Sequence, residues 1–521
     1  MAKKPKPANG GGPLIPPKDT VVVRMYRIGH GDCFLLAFPG KKANTPSYVL
    51  IDCGYKPGSS KKIKDPTTAK EITAHIREAT GGHIDVAVIT HEHQDHVNAI
   101  TETHFKDITI GEAWFAWTED PDDSVADDLR KTYKDKLLGL LAARNRLAAD
   151  GELKRAERLD NFLGFELGGD EEAFNVNAAE ALLGAAKTGE SMNKKSMKLF
   201  KDRAEKGPKF LRAHGPIRSV PNANGIRVFA LGPPRDPEQL RSLDPEGDEE
   251  FHVMSLAAKT PVGYFGMAAI AAAKGTMPEA PFGSRFCVPL ADAGAAGSPY
   301  SEFVQAHYGN NGAAPAPTPH PYEVPGNAPW RRIDRDWLFS AEQLALDMNS
   351  YTNNSSLVLA FELSPGGKVL LFAADAQRGN WLSWAKKEWK DGDRRVSAKD
   401  LLSRTVLYKV GHHGSHNATL NGTAGDDYPN IAWMAHGDHG REFTAMITAV
   451  RKWAETQDGW DHPLKAIKDA LLRKAGGRVF QTDTDFTDMK MHANGAKADW
   501  NEFQSRASGH RLYFDYKVPI E

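Results

Sequence analysis

The sequence has few cysteines, no long apolar run and almost no net charge, and each absence excludes a class of protein. Its three cysteines (Cys33, Cys53 and Cys287) lack the spacing of a metal site, so we expect buried thiols in a reducing compartment. No apolar run is long enough for a bilayer and no signal-peptide core opens the chain, which predicts a cytoplasmic protein without a membrane partner. The net charge of −1 excludes a surface that is basic throughout, so any contact with nucleic acid must be local.

What the sequence does contain is a dense run of metal-binding side chains, His91-Glu92-His93-Gln94-Asp95-His96. The apolar, β-branched stretch 84–90 before it predicts a buried strand, and ligand sites in α/β sheets lie where strands end. His91 and His93, two residues apart, suit one ion, whereas the adjacent Asp95 and His96 suit a second. The spacing excludes the helical His-Glu-x-x-His site. A polar turn with a chance run of histidines is the alternative interpretation.

The pattern His-x-His-x-Asp-His after an apolar strand resembles the metallo-β-lactamase superfamily of metal-dependent hydrolases. Three further segments are similar to the hydrolase domain of ComEC-type competence proteins: Gly29-His30-Gly31-Asp32, Ile51-Asp52-Cys53-Gly54 and Lys409-Val410-Gly411-His412-His413-Gly414-Ser415. The resemblance covers about 21–118, 219–236 and 350–485. It implies an α/β fold, a metallo-β-lactamase-like four-layer αββα sandwich interrupted by a helical insertion and a second, loop-rich insertion.

A chain of 521 residues could hold two or three domains, or one large domain with insertions. The resemblance favours one interrupted domain. Its predicted segments are a disordered arm (1–19), the first half of the domain (20–118), a helical insertion (119–218), a core strand (219–236), an Ala/Gly/Pro-rich insertion (237–348) and the second half (349–521). The insertions are candidate interfaces for a protein partner or for a second copy of the chain.

The second half of the chain offers a carboxylate at a strand end. Asp375 follows the apolar run 368–374, and a short carboxylate buried there needs a strong partner. The resemblance implies that Asp375 bridges two metal ions. Its alternative role is to cap the helix predicted at 381–388.

Five late histidines compete for the remaining positions: His412, His413, His436, His439 and His462. Of His412 and His413, we expect one to face the ions or the substrate and the other to pack. The resemblance makes His462 the candidate for the last ligand of the second ion, in competition with His436 and His439.

Three residues are candidates for holding the ligands in place by hydrogen bonds: Asp52, Asp32 and Asn353. Asp52 could accept a hydrogen bond from a metal-bound histidine, or it could simply cap a turn. Asn353 or Asn354 stands where many superfamily members have a lone histidine, and an amide oxygen is a poor zinc ligand. We therefore expect two zinc ions with a weak first position, or a harder ion such as manganese.

A basic stretch at 187–218 contains the candidate substrate-binding residues Lys194, Lys195 and Lys198, interleaved with Phe200 and Phe210. Such a stretch suits a single-stranded nucleic acid, whose bases stack on aromatic rings. A solvated helix face is the alternative. Ser415 is a further candidate for substrate contact, and no triad pattern marks it as a nucleophile.

Together with the resemblance, these observations predict a two-metal hydrolase, and the resemblance implies nucleic acid as its substrate. Asp95, His412 and His413 are the candidate catalytic residues, and the reaction is hydrolysis of a phosphodiester by water activated between the ions. One rival is a hydrolase of a small ester, amide or cyclic nucleotide. The other is a partner-binding module in which the metals are structural.

Overall fold

The computed structural model describes residues 12–149, 151–168, 191–251, 341–457 and 460–521, and two large mixed sheets form its body. The strands, in chain order, are β1 (Thr20–Tyr26), β2 (Phe34–Phe38), β3 (Ser47–Ile51), β4 (His83–Val88), β5 (Thr109–Ala116), β6 (Pro208–Leu211), β7 (Arg218–Ser219), β8 (Arg227–Gly232), β9 (Val358–Glu362), β10 (Val369–Phe372), β11 (Glu388–Asp391), β12 (Arg394–Ser397), β13 (Thr405–Lys409), β14 (Thr444–Ile447), β15 (Val479–Gln481), β16 (Ala507–Gly509) and β17 (Tyr513–Pro519). The first sheet has the order β16-β17-β1-β2-β3-β4-β5-β6, and the second has the order β15-β14-β13-β10-β9-β8-β7. Strands β11 and β12 form a separate hairpin.

The described helices, in chain order, are α1 (Ala69–Thr80), α2 (Gln94–Val97), α3 (Glu102–Phe105), α4 (Ser124–Ala149), α5 (Leu153–Leu167), α6 (Met192–Arg203), α7 (Pro237–Arg241), α8 (Ala341–Asn354), α9 (Arg378–Trp384), α10 (Ala398–Ser403), α11 (His439–Glu442), α12 (Arg451–Ala454), α13 (Lys465–Lys474) and α14 (Lys497–Arg506). Local sequence sets several ends. Helix α1 begins at a capping box, in which Thr68 and Glu71 each accept a backbone N–H of the other, and Gly81 ends it in the left-handed conformation.

The two sheets pack face to face because their strands are apolar on both sides. Along β1, Val21 and Val23 join an apolar cluster shared by both sheets, whereas Val22 joins a second cluster on the outer face. Between the sheets, the rings of Phe38 and Phe361 stack with their centroids 5.7 Å apart. Sheets that are buried on both faces need further layers to cover them.

Helices supply those outer layers. Side chains of α1, α3 and α6 pack on the outer face of the first sheet. Those of α9, α10 and α13 pack on the outer face of the second sheet. The α/β class predicted from the sequence is thus confirmed, with both sheets mixed rather than purely parallel.

The predicted insertions have different outcomes. The range 119–218 contains the long helices α4 and α5, which share an apolar cluster with α8. It also contains β6, which pairs with β5, so the part outside the sheets ends before Pro208. Most of the range 237–348 lies outside the described residues, as do residues 1–11 of the predicted arm and Cys287. Within the rest of that arm, Leu14 donates a backbone hydrogen bond of 2.7 Å to Ala79 of α1, which holds the segment against the body.

Candidate metal centre

Most of the residues predicted for the site meet at one edge of the two sheets. Asp52 follows β3, the cluster 91–96 follows β4, Asp375 follows β10 and His413 follows β13. Strands β3 and β4 are parallel, and so are β10 and β13, so the carboxyl end of each pair faces the same way. This edge is where α/β sheets bind ligands.

Two glycines let the loops at this edge approach one another. A Cβ on Gly31 would lie 2.6 Å from the carbonyl oxygen of Asp95, and one on Gly54 would lie 2.5 Å from the backbone of Asp95 and His96. Real Cβ atoms do not come so close, so both positions require glycine. The Gly-His-Gly-Asp and Asp-Cys-Gly segments therefore pack directly on the histidine cluster.

Buried nitrogen and oxygen atoms form two groups that share one carboxylate. One group consists of Asp95, His96, Asp375 and His413, and the other of His91, His93 and Asp375, each with its ligand atoms within 4.8 Å of one another. A third group, Asp32, Asp52 and His96, adjoins them. In the first group, Oδ2 of Asp375 lies 3.2 Å from Nε2 of His96 and 3.4 Å from Nε2 of His413. Each group could hold a metal ion.

Hydrogen bonds from outside the groups fix which nitrogen each histidine turns inward. His96 Nδ1 lies 2.8 Å from Oδ2 of Asp52, and an ionised carboxylate only accepts, so the Nδ1 carries the proton. The hydroxyl of Thr90 donates its single proton to Asp52 at 2.7 Å, so it can only accept from Nδ1 of His91 at 3.1 Å. His96 and His91 therefore both turn Nε2 inward, and in the neutral ring this is the atom that can bind a metal ion.

His413 and His93 follow the same rule. The hydroxyl of Thr448 donates to Asp32 at 2.6 Å and so accepts from Nδ1 of His413 at 3.0 Å, which turns Nε2 into the group, 3.2 Å from Oδ2 of Asp95. His93 has Nε2 3.0 Å from Oε1 of Glu166, which turns Nδ1 inward. The inward atoms of His91 and His93, Nε2 and Nδ1, lie 3.0 Å apart. A proton shared between them satisfies both nitrogens at this distance, and a metal cation could take its place.

Two orphaned atoms show that the groups fit a cation. Within the described residues, Oδ1 of Asp95 and Nε2 of His96 are buried and have no hydrogen-bond partner. Buried polar atoms are normally paired, so an unpaired donor set invites a ligand. The charge balance agrees: the buried carboxylates Asp32, Asp52, Asp95, Glu166 and Asp375 outnumber the buried ammonium groups Lys56 and Lys409.

The pKa values follow from this negative surplus. Burial opposes a charge on His96, yet Asp375 and Asp32 raise its pKa well above the usual value. Burial likewise opposes a charge on His413, and Asp375 and Asp95 raise its pKa to about 9. Burial lowers the pKa of His91 well below its usual value, and His96 lowers it further, so this ring is neutral. Protons thus compete for positions that suit a metal cation.

The structure brings His413, rather than His462, to the second group. The ring of His462 instead stacks on His30, with centroids 5.5 Å apart, and its centroid lies 6.5 Å from that of His413. His462 belongs to none of the buried ligand groups. His436 and His439 belong to neither group, and His436 turns Nε2 to a backbone oxygen at 2.7 Å.

His412 and Asn353 lie together beside the groups. The amide nitrogen of Asn353 is 3.3 Å from Nε2 of His412, and that of Gln377 is 3.5 Å from Nδ1. Asn354 instead binds backbone oxygens of the segment 239–242. Ser415 ends the turn 411–414, and its backbone N–H donates to His412 at 2.8 Å.

The predicted substrate lysines lie on α6, beside the centre. Lys194 has its ammonium 4.0 Å from the carboxylate of Glu92, and Lys198 pairs with Asp202 at 2.6 Å. Lys195 is exposed. These ion pairs offset part of the basic charge that the sequence suggests.

Three residues at the centre were missed from the sequence: Glu166, Tyr133 and Lys56. Glu166 and Tyr133 belong to the helical insertion and bond to each other. Lys56, at 5% exposure, has its ammonium 3.7 Å from Oδ2 of Asp95 and over the ring of Phe165. The available signal for Glu166 was its position, seven residues after Leu159 and three after Leu163, on the apolar face of α5.

Neither a scan of protein-family models nor a search of curated proteins returned a match to this chain. Among the described helices, none combines the length and the apolar character needed to cross a membrane.

Proposed function

We propose that this chain is a metal-dependent hydrolase of the metallo-β-lactamase type that cleaves phosphodiester bonds, with single-stranded nucleic acid as its substrate class. The helix-sheet-sheet-helix layering and the motif His-x-His-x-Asp-His at the end of β4 support the type. The observation that carries the proposal is the sharing of Asp375 by two groups whose histidines all turn one ring nitrogen toward the other ligand atoms. Such a shared carboxylate is typical of two-metal sites.

His91, His93 and Asp375 would hold one ion, and Asp95, His96, His413 and Asp375 would hold the other. The mixed nitrogen and oxygen donors suit zinc, and the three-residue first position leaves room for a harder ion such as manganese. When bound, the two ions would lower the pKa of water and stabilise the negative charge that develops during hydrolysis.

The chain's own residues prepare this reaction. Asp52, Thr90 and Thr448 hold the imidazole rings in one tautomer, so the ligand atoms need no reorganisation. Lys56 brings a buried ammonium to the edge of the centre, where it can bind an anionic oxygen of the substrate. Burial lowers the pKa of His412 to about 3, so its ring is neutral and can accept a hydrogen bond from the substrate.

Cleavage assays test the proposal directly. The chelated and then zinc- or manganese-loaded protein should hydrolyse single-stranded DNA and bis-p-nitrophenyl phosphate. The double variant His91→Ala with Asp95→Ala should lose this activity while its circular dichroism stays native. Undiminished hydrolysis by that variant would exclude the proposal.

A small ester, amide or cyclic nucleotide is the second candidate substrate. It is favoured by the burial of the ligands, none of which exceeds 3% exposure, and by the pairing of Lys194 and Lys198 with acids. Salt separates the candidates, because cleavage of a polyanion weakens steeply as salt rises, whereas turnover of a small substrate does not. Metal-dependent turnover of either kind would speak against a module with purely structural metals.

A further inference from the structure

The carboxylate of Glu166 lies where a negative charge is energetically unfavourable. It lies in the last turn of α5, where the helix dipole disfavours a negative charge, and it is only 1% exposed. A buried carboxylate at such a place needs strong partners. Its partners are the ring of His93 on one side and the hydroxyl of Tyr133 on the other.

These contacts join the helical insertion to the metal centre. Tyr133 belongs to α4 and Glu166 to α5, while His93 belongs to the cluster after β4. Phe165, next to Glu166, lies against the His93 ring with centroids 4.3 Å apart. The end of α5 is fixed by Asn193 of α6, whose amide donates to the carbonyl oxygens of Phe165 and Glu166 at 3.0 and 3.1 Å.

The apolar contacts of the α4–α5 hairpin lie mostly elsewhere. Helices α4 and α5 form their own apolar cluster with α8, separate from the clusters of the two sheets. The start of α4 also packs on Trp117, whereas the C-terminal end of α5 meets the centre through Glu166 and Phe165. Because Glu166 and Phe165 both contact the His93 ring, a change that fixes this ring also restrains the C-terminal end of α5.

We propose that Glu166 is a positioning residue for the first metal ion, and that docking of the α4–α5 hairpin and ion binding at His91 and His93 reinforce each other. This inference rests on the metal centre of the proposed function. By accepting from Nε2 of His93, Glu166 holds Nδ1 toward Nε2 of His91, as a ligand pair requires. By reciprocity, an ion that fixes the His93 ring also strengthens the hydrogen bond between His93 and Glu166 and so the docking of α5.

Zinc titration of the full chain against a chromophoric chelator tests the first half. Glu166→Ala should lower the affinity for one of the two zinc ions by roughly 10–100-fold and leave the affinity for the other unchanged. Glu166→Gln keeps an acceptor oxygen for His93 and should recover much of the loss, and Tyr133→Phe should have an intermediate effect. The matched control is Asp160→Asn, which breaks the 2.7 Å ion pair with Arg144 inside the same hairpin and should bind both ions normally.

Cobalt substitution and hydrogen exchange test the second half. The visible bands of one cobalt ion should change in Glu166→Ala and stay normal in Asp160→Asn. Zinc should slow hydrogen exchange in α4 and α5 of the wild type and have little effect there in Glu166→Ala. If Glu166→Ala does not fold, the zinc affinities of Glu166→Gln and Tyr133→Phe still test the inference, because both should lie below that of the wild type.

Two failures are distinguishable. A wild-type chain that binds no ions would overturn the proposed function and this inference with it. A wild type that binds two ions, with Glu166→Ala and Tyr133→Phe binding both as tightly, would overturn the inference alone.

Discussion

His96 and Asp52, forty-four residues apart in the chain, are joined by a 2.8 Å contact between Nδ1 and Oδ2. Both side chains are fully buried, so the contact cannot be replaced by water without a rearrangement. It leaves Nε2 of His96 as the inward, unpaired atom. Asp52 thereby decides which nitrogen of His96 can bind a cation.

Asp52→Ala should lower zinc affinity by roughly 10–100-fold, because His96 loses the partner that fixes its tautomer and ring orientation. Competition with a chelator measures the change. Asp85→Ala is the control, since Asp85 is a buried acid that binds Tyr48 and Asn222 away from the centre. Equal affinity for wild type and Asp52→Ala would show that the contact is only structural.

His413→Ala should lose the ion held with Asp95 and His96, because Nε2 of His413 lies in that group. His462→Ala should retain two ions, since His462 stacks on His30 and belongs to none of the ligand groups. Metal analysis after dialysis gives the stoichiometries. The reverse pattern would restore the assignment of His462 that the resemblance implied.

Lys56→Met should reduce kcat/KM for bis-p-nitrophenyl phosphate by roughly 10–100-fold, the usual contribution of a charge-assisted hydrogen bond. It should change the hydrolysis of neutral p-nitrophenyl acetate much less, because that substrate carries no anionic oxygen for the ammonium. Both assays are run at saturating metal, with the exposed Lys195→Met as the control. Equal losses of kcat/KM on the two substrates would show that Lys56 does not bind the anionic oxygen of the substrate.

Lys387 gives a prediction about stability. Burial alone lowers its pKa from 10.5 to about 8. The folded state therefore binds fewer protons than the unfolded chain between these values, so the free energy of unfolding rises from pH 8 to 10.5. Below pH 8 the buried ammonium costs up to about 3 kcal/mol.

Lys387→Met should accordingly raise the free energy of unfolding at pH 7 by about 1–3 kcal/mol, and the gain should shrink by pH 10. Urea denaturation at the two pH values measures it. The exposed neighbour supplies the control, Lys386→Met, for which we expect little change. A gain that is the same at both pH values would contradict the electrostatic explanation.

Much of the fold was predictable because its signals are local. The apolar run at 405–410 is strand β13, and the helix expected at 464–474 spans Lys465–Lys474. The helix expected at 381–388 begins earlier, at Arg378, and ends at Trp384, since residues 388–391 pair in a hairpin instead. The pairing of β1 with β17 joins the two ends of the described chain and has no local signal in the sequence.

The residues of the metal centre likewise fall into those that the sequence predicts and those that it does not. The cluster 91–96 and Asp375 were predicted because their residue types are metal ligands at strand ends. Which late histidine faces the ions depends on packing: His413 has a backbone φ of +53°, an uncommon value that aims its ring and that the sequence does not reveal. Glu166 was missed because one acid among many in a helical insertion looks like a solvated face.

Anomalous diffraction from zinc-soaked crystals tests the central claim most directly. We predict two peaks, one beside His91 and His93 and one among Asp95, His96 and His413, each about 2.0–2.2 Å from an oxygen of Asp375. The Asp375→Ala variant should lose at least one peak. Peaks away from these residues, or none in a crystal whose solvent holds ample zinc, would contradict the account.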